Sequence, residues 1–317
     1  MHLESIIQQV LDGTPVDKEQ ALLLVTVPLE PLCEGAEKIR RHCCGNVFDV
    51  CAIVNARSGR CPEDCKFCAQ SMHYVTPAQE YPLLKEEKIL EKAYLCANAG
   101  VHRFSIVISG RSVESEELER ICKIIRKIKK ETELYVCASL GILEEYQYQL
   151  LKEAGLDRFH NNLETSQRFF PFVCSTHTYE EKVNAIRLAQ RFGFSVCSGG
   201  IFGLGETMED RIDMAFVLRE LGILSVPLNL LDPISGTPYE KNPVLSEKEF
   251  RRIVAIFRYI LPQAYLRLAG GRRLLSDKGA ACFRSGANAT ISGNLLTTSG
   301  IPFVEDRRML HELGFQL

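Results

Sequence analysis

A cluster of three thiols occupies one short stretch of the chain, at Cys61, Cys65 and Cys68. A loop of this length can bring three sulfurs onto one metal centre, and thiolates are soft ligands that suit iron-sulfur clusters, zinc and copper(I). Structural zinc takes four ligands, and no fourth cysteine or histidine follows within the next turn. Three thiolates on a four-iron cubane would instead leave one iron open for a small molecule.

The spacing C-x3-C-x2-C, with Phe67 before the last cysteine, resembles the signature of the radical S-adenosylmethionine (SAM) enzymes. In those enzymes SAM binds the open iron of a 4Fe-4S cluster, so the resemblance implies this role for Cys61, Cys65 and Cys68. The longer stretch from Asn55 to Ser71 resembles the biotin synthase family. A degenerate zinc loop and a chance cluster of cysteines are the alternatives.

Length and composition describe one large globular domain. The chain has 317 residues, 46% hydrophobic and 25% charged, with a formal net charge of -2. This near-neutral balance gives no support for a nucleic-acid or membrane surface. Residues 1–30 show no signal-peptide pattern, so we expect a cytoplasmic protein. Thirteen cysteines in a long chain without such a pattern favour metal ligation over disulfides.

Short β-branched or apolar runs alternate with amphipathic helices beyond the cysteine loop, which predicts parallel βαβ units and a (β/α)8 TIM-type barrel. The predicted strands are Phe48–Asn55, His102–Ile108, Leu134–Ala138, Arg158–Asn161, Ser195–Phe202, Ser225–Leu230, Tyr265–Leu268 and Ala289–Ile291. The predicted helices between them are Lys85–Ala99, Ser115–Lys130, Glu144–Ala154, Tyr179–Phe192, Met208–Leu221 and Glu247–Ile260. We expect a single domain over residues 1–317, with a helical cap at 1–45, the barrel at 46–300 and a C-terminal tail at 301–317.

Barrel enzymes place their chemistry at the carboxyl ends of the strands. We expect those ends to present Cys51, Ser105, Cys137, Asn162, Cys197, Asn229 and Arg267. A lone strand cysteine is ordinarily a small buried hydrophobe. The segments around Cys137 and Cys197, however, resemble the biotin synthase family, in which the matching cysteines hold a second cluster deep in the barrel. The same resemblance makes Arg267 the family's arginine ligand, and a sulfide-rich cluster would compensate its buried charge.

The sequence departs from the common family pattern at Ser105, where the family has a third cysteine ligand. Serine oxygen is a harder ligand and a poor substitute for thiolate on a reduced cluster. Cys51 and Cys44 are extra cysteines nearby. We hypothesise that one or both replace the missing ligand, enclosing a four-iron cluster with an extra sulfide rather than the family's two-iron cluster. The alternative is that Ser105 or a water completes a two-iron site.

The family resemblance also implies where SAM binds. Phe67 lies beside the cluster, and Ser109 with Gly110 stands where radical SAM enzymes hold the methionine amino group. The glycine-rich stretch that contains Ile201 matches the one that borders the adenine. Glu164 takes the place of an acidic residue on the ribose hydroxyls, a contact that is familiar in nucleotide sites.

Two amides are expected to contact the substrate. By the same resemblance, Asn162 reaches both the SAM ribose and the ureido group of the substrate, and Asn229 matches a second amide on the ureido ring. An amide can donate and accept at once, which suits a cyclic urea. The remaining thiols and three histidines are assigned structural or hydrogen-bonding roles: Cys33, Cys43, Cys96, Cys122, Cys174, Cys282, His102, His160 and His177.

The resemblance implies an enzyme that converts dethiobiotin to biotin, with a SAM-derived 5′-deoxyadenosyl radical and sulfur from the auxiliary cluster. It also implies an electron donor such as flavodoxin or ferredoxin, iron-sulfur assembly proteins and a homodimer. The alternatives are a related barrel enzyme of the hydrogenase-maturation or methylornithine-forming type, and a zinc-stabilised binding protein with no catalysis.

Overall fold

The computed structural model describes residues 3–317 and contains a closed parallel barrel surrounded by helices. Three helices precede the barrel: α1 (Leu3–Leu11), α2 (Lys18–Leu24) and α3 (Leu29–Cys44). The barrel strands are β1 (Asp49–Arg57), β2 (Arg103–Ile108), β3 (Tyr135–Ser139), β4 (Arg158–His160), β5 (Ser195–Cys197), β6 (Gly200–Phe202), β7 (Ser225–Leu230), β8 (Tyr265–Leu268) and β9 (Ala289–Ile291). The other helices are α4 (Glu86–Ala99), α5 (Ser115–Glu131), α6 (Glu145–Glu153), α7 (Phe170–Val173), α8 (Tyr179–Arg191), α9 (Met208–Glu220), α10 (Glu247–Ile260), α11 (Ala280–Phe283) and α12 (Phe303–Glu312).

The strands pair in the order β5-β4-β3-β2-β1-β9-β8-β7-β6, and a further pairing between β5 and β7 closes the barrel. The (β/α)8 prediction is therefore confirmed. The predicted strand Ser195–Phe202 is interrupted, however, and its halves β5 and β6 share one position in the barrel. The interruption falls where Gly199 packs so closely on β7 that an added Cβ would lie 2.0 Å from the Pro227 carbonyl oxygen.

Alternation along the strands divides the core into two layers. In β1, Val50, Val54 and Ala56 are buried in the layer between strands and helices. The intervening positions, beginning with Asp49 and Cys51, point into the barrel. Because polar and thiol side chains occupy many of these inward positions, the interior differs from the purely apolar fill of a structural barrel.

Segments from both terminal regions of residues 3–317 pack against the barrel and its helices. Helix α3 contacts α10, where the Tyr259 hydroxyl donates to the Leu32 carbonyl at 3.3 Å. Near the C-terminus, Phe315 packs edge-on against Phe48 with ring centroids 4.9 Å apart. The buried carboxylate of Asp306 forms a 2.7 Å ion pair with Arg272. No helix within residues 3–317 combines the length and apolarity that crossing a membrane requires.

Candidate active site

The three-thiol loop follows β1 directly and is folded back on itself by backbone hydrogen bonds. The Cys61 amide donates to Gln70 at 3.0 Å, and the Met72 amide donates to the Cys61 carbonyl at 2.8 Å. The Ser109 hydroxyl, just beyond β2, donates to the Gly59 carbonyl at 2.7 Å. The loop therefore lies at the carboxyl ends of β1 and β2, where a barrel enzyme places its chemistry.

The three thiols of this loop are half-buried and act on one another electrostatically. Burial raises the pKa of Cys61, and burial together with the neighbouring Cys61 raises the pKa of Cys68 to about 11. A hydrogen bond with Cys174, followed by burial, raises the pKa of Cys65. A cation bound here would displace the thiol protons, and its positive charge would offset the repulsion between the resulting thiolates. The donor set thus fits an iron-sulfur cluster.

Sequence reasoning missed two residues beside this loop. Cys174 Sγ lies 3.7 Å from Cys65 Sγ and 3.2 Å from Nδ1 of His177. From sequence, Cys174 is assigned a structural role and His177 a hydrogen-bonding role. The structure adds that both lie beside a predicted cluster ligand, Cys65. Only the tertiary fold shows this grouping, because α7 and the turn after it lie more than a hundred residues beyond the cysteine loop.

The residues predicted to bind SAM surround the same loop. Gly110 has φ +116°, and an added Cβ would lie 2.5 Å from the Arg57 guanidinium. Glu164 adopts a left-handed conformation with φ +71°, which lets its backbone pair with Gly200. Burial raises the pKa of Glu164, and its carboxylate acts electrostatically on both Cys65 and Cys68. The predicted ribose contact therefore lies beside the predicted cluster ligands.

Phe67 and Ile201 pack in one small apolar cluster with Leu204 and Leu231. This cluster joins the cysteine loop to β6, so the two residues predicted to flank SAM share one apolar wall. A wall of this kind suits the flat face of an adenine and keeps water from the neighbouring thiols.

The two predicted substrate amides are held by backbone hydrogen bonds. Asn162 Oδ1 accepts from the Gly199 amide at 3.1 Å, while Asn229 donates to the Gly200 carbonyl at 2.9 Å and accepts from the Gly270 amide at 2.8 Å. Asn229 thereby retains one N–H and one oxygen lone pair. Both amides are fixed in orientation next to the β5–β6 interruption.

A second group of thiols lies deeper in the barrel. Cys51, Cys137 and Cys197 are all buried, and each acts electrostatically on at least one of the others. Burial alone would raise the pKa of Cys197, but a hydrogen bond with His160 and nearby arginines lower it to about 6. The structure therefore gathers three of the predicted auxiliary ligands around one interior space.

Arg267 reaches the same space from β8. It is 2% exposed, and its Nη1 donates to the carbonyls of Asp49 and Thr290 at 3.1 and 2.8 Å. Burial opposes its charge, yet Asp49, Cys51 and Cys197 raise its pKa. Its Nη2 lies 3.0 Å from Asp49 Oδ1 but is not aligned for a hydrogen bond. Asp49 therefore already compensates the buried charge of Arg267, while the unaligned Nη2 leaves N–H groups that a sulfide could accept from.

Two expectations about the auxiliary ligands need correction. Cys51, Ser105 and Cys137 do not stand at the carboxyl ends of their strands, since β1 continues for six residues beyond Cys51. Cys44 ends α3 outside the barrel, where its thiol contacts Arg258 at 3.3 Å and the Pro262 carbonyl at 3.4 Å. The structure therefore separates Cys44 from the interior thiols, while Ser105 pairs in register with Cys137.

The β5–β6 interruption positions much of this site, and Gly199→Ala is expected to disturb it strongly. A Cβ would meet the Pro227 backbone, which cannot rotate away, so we expect the free energy of unfolding to fall by about 3 kcal/mol. Denaturant unfolding measures the change. Ser198→Ala is the matched control, because the buried Ser198 hydroxyl has no hydrogen-bond partner among residues 3–317 and its loss should be neutral or slightly stabilising. Equal losses in both variants would contradict this account.

Comparisons with known proteins define the class to which this barrel belongs. Residues 56–218 match the family model of the radical SAM superfamily, and residues 227–316 match that of the biotin and thiamin synthesis associated domain. The first match covers the cysteine loop and strands β2 to β6. The chain is thus a radical SAM barrel protein.

Relatives along the whole chain narrow this class. The chain is 53% identical to a biotin synthase of Brachyspira hyodysenteriae over 315 residues, covering 99% of this chain and 95% of the relative. It is 49% identical to a biotin synthase of Akkermansia muciniphila over 313 residues, covering 99% and 98%. The chain belongs to the biotin synthase family.

Solved structures confirm the barrel. A methylornithine synthase superposes with a TM-score of 0.85 at 20% identity, covering 98% of this chain and 96% of the other. A maturase of the FeFe-hydrogenase superposes with a TM-score of 0.81 at 18% identity, covering 98% and 74%. At these identities the likeness concerns the fold alone, so it does not support the alternative activities considered from sequence.

Proposed function

We propose that the chain is a sulfurtransferase that forms biotin from dethiobiotin with SAM as co-substrate. The observation that supports this most is that one barrel contains two separate sets of cysteines. Three cysteines lie in the loop at the mouth, and three buried cysteines lie below it together with Arg267. The relatives that share half of the sequence are themselves named biotin synthases. A zinc-stabilised binding protein would have no need for the buried set.

At the mouth, Cys61, Cys65 and Cys68 would hold the 4Fe-4S cluster. Ser109 and Gly110 would receive the methionine end of SAM, and Glu164 the ribose, with the apolar wall of Phe67 and Ile201 excluding water. When bound, the cluster and SAM supply a 5′-deoxyadenosyl radical, and the auxiliary cluster supplies sulfur.

In the interior, Cys51, Cys137, Cys197 and Arg267 would hold the auxiliary cluster. Asp49 steadies Arg267 by a 3.0 Å contact. Asn162 and Asn229, whose amides are oriented by the backbone near the β5–β6 interruption, would hold the ureido ring of dethiobiotin between the two centres. The chain's own role is then to fix the distance from the radical to the substrate and from the substrate to the sulfur.

Replacing Cys51 tests the ligand set of the auxiliary cluster. Cys51→Ala is expected to lower auxiliary iron and sulfide per chain, since it removes one of three thiols that share the interior. Cys44→Ala is the matched control and should leave both counts unchanged, because Cys44 contacts Arg258 outside the barrel. Ser105→Cys in the Cys51→Ala chain should restore part of the iron. Full auxiliary iron in Cys51→Ala would show that Cys51 is no ligand.

The activity itself is tested with anaerobically reconstituted chain, SAM, dethiobiotin and a low-potential reductant. We expect biotin and 5′-deoxyadenosine to form together, and neither to form when SAM is omitted. Formation of 5′-deoxyadenosine without biotin in fully reconstituted chain would overturn the proposed function while leaving the radical SAM class intact.

The family resemblance supports the remaining assignments, which we include in the proposal. The enzyme would work in the cytoplasm as a homodimer and as a single domain, with residues 1–45 as its cap, 46–300 as its barrel and 301–317 as its tail. Flavodoxin or ferredoxin would supply electrons, and iron-sulfur assembly proteins would load and renew the clusters.

A further inference from the structure

Cys174 and His177 have no role in the chemistry described above, yet both are buried beside the cysteine loop. Together with Cys65 they place two sulfurs and one imidazole nitrogen within 4.8 Å of one another. Within residues 3–317, no other group of three histidine, cysteine or acidic side chains meets this separation. The grouping is therefore distinct from the interior thiols, and it shares one residue, Cys65, with the three-thiol loop.

Two of the three separations lie within about 0.3 Å of those in a tetrahedral zinc site. Two zinc-sulfur bonds of about 2.3 Å place the sulfurs about 3.8 Å apart, and a zinc-nitrogen bond of about 2.0 Å gives a sulfur-nitrogen separation of about 3.5 Å. The observed separations are 3.7 Å between Cys65 and Cys174 and 3.2 Å between Cys174 and His177. A cation could bind here with small side-chain shifts.

Neighbouring carboxylates hold this grouping in place. Asp64 Oδ1 lies 3.2 Å from Cys174 Sγ and accepts hydrogen bonds from the Ser175 and Thr176 amides at 2.8 and 3.2 Å. The Glu63 carboxylate contacts Nδ1 of His177, the same nitrogen that faces Cys174 Sγ. A cation bound at Nδ1 would replace that contact, and the Glu63 and Asp64 carboxylates each offer a fourth ligand oxygen.

We propose that Cys65, Cys174 and His177 form a mononuclear site for a thiophilic divalent cation, such as Zn²⁺ or Fe²⁺, in the cluster-free chain. Two thiolates and one imidazole suit these cations, and Asp64 or a water completes the tetrahedron. Where Cys65 is a cluster ligand, as the proposed function has it, the cation and the cluster exclude each other. Zinc then holds the chain in a cluster-free form.

The test titrates Zn²⁺ into cluster-free chain, kept anaerobic and reduced, against a competing chelator. We expect one ion per chain, and an affinity at least about 100-fold weaker in Cys174→Ser and in His177→Gln, since each loses a ligand. The matched control is the double variant Cys61→Ser with Cys68→Ser, which leaves all three proposed ligands intact and should keep the wild-type affinity.

Two outcomes overturn the site. If the double variant no longer binds the ion, zinc is bound by the three loop thiols instead. This conclusion holds even if the Cys174→Ser variant fails to fold. If Cys174→Ser keeps the wild-type affinity, Cys174 is no ligand. Neither SAM nor dethiobiotin enters the titration, so its result is independent of whether the chain forms biotin.

Competition with cluster assembly gives a second readout. One equivalent of Zn²⁺ should slow iron-sulfur reconstitution of the wild-type chain, and should slow that of Cys174→Ser much less. Equal slowing in both chains would contradict the shared use of Cys65. Co²⁺ in place of Zn²⁺ should show a thiolate charge-transfer band that weakens in Cys174→Ser.

Discussion

Cys68→Ala is expected to abolish the 4Fe-4S cluster at the mouth, and with it both 5′-deoxyadenosine and biotin formation, to the background of the assay. Two thiolates remain in the loop, and a cubane held by two of its three ligands loses the geometry that leaves one iron open. Cys68 lies on the same loop as Cys61 and acts on it electrostatically, so its removal changes the site directly. Iron per chain, the visible absorption of the reconstituted protein and 5′-deoxyadenosine measure the effect.

Cys96→Ala is the matched control for this prediction. Cys96 is half-buried like Cys68 but lies on α4, outside the barrel. The substitution should leave both products unchanged and cost no more than about 1 kcal/mol of stability. If the Cys68→Ala chain still cleaves SAM at the wild-type rate, the loop thiols do not hold the cluster that binds SAM.

Cys197→Ala is expected to separate the two halves of the reaction. Cys197 lies among the interior thiols, where it accepts a 3.3 Å hydrogen bond from Ser225 and acts on Arg267. Its loss should remove the auxiliary cluster and abolish biotin. The three-thiol loop is untouched, so 5′-deoxyadenosine should continue to form without productive turnover. The ratio of biotin to 5′-deoxyadenosine is the measurement.

The control for Cys197→Ala is Cys282→Ala, which removes a buried thiol on α11 instead of one in the interior. Its product ratio should equal that of the wild-type chain. If Cys197→Ala loses 5′-deoxyadenosine along with biotin, the two centres are not separable in the way proposed. If it keeps biotin, Cys197 does not hold the cluster that supplies the sulfur.

The barrel was predictable because its signals are local. The β-branched runs and amphipathic helices repeat clearly enough that most element ends fall within two residues of their predicted positions, and α10 begins and ends where the sequence predicts. The split of Ser195–Phe202 was not predictable, since it depends on how closely Gly199 packs against Pro227 on another strand.

In the candidate active site, too, the features that depend on local sequence were predictable and those that depend on tertiary contacts were not. The spacing of the three-thiol loop is a local signal, whereas the approach of Cys174 to Cys65 depends on the fold that joins distant segments. Cys44 shows the opposite error. It lies close to Cys51 in sequence, but it ends a helix that packs on α10, so its thiol contacts Arg258 and not the barrel interior.

We have proposed that one cluster at the mouth and one in the interior act on the same substrate between them. A single turnover tests this if only the auxiliary cluster carries a heavy sulfur isotope and the sulfide in solution is unlabelled. The biotin formed should then contain the heavy isotope. Biotin that contains only unlabelled sulfur would show that the interior cluster is not the sulfur donor.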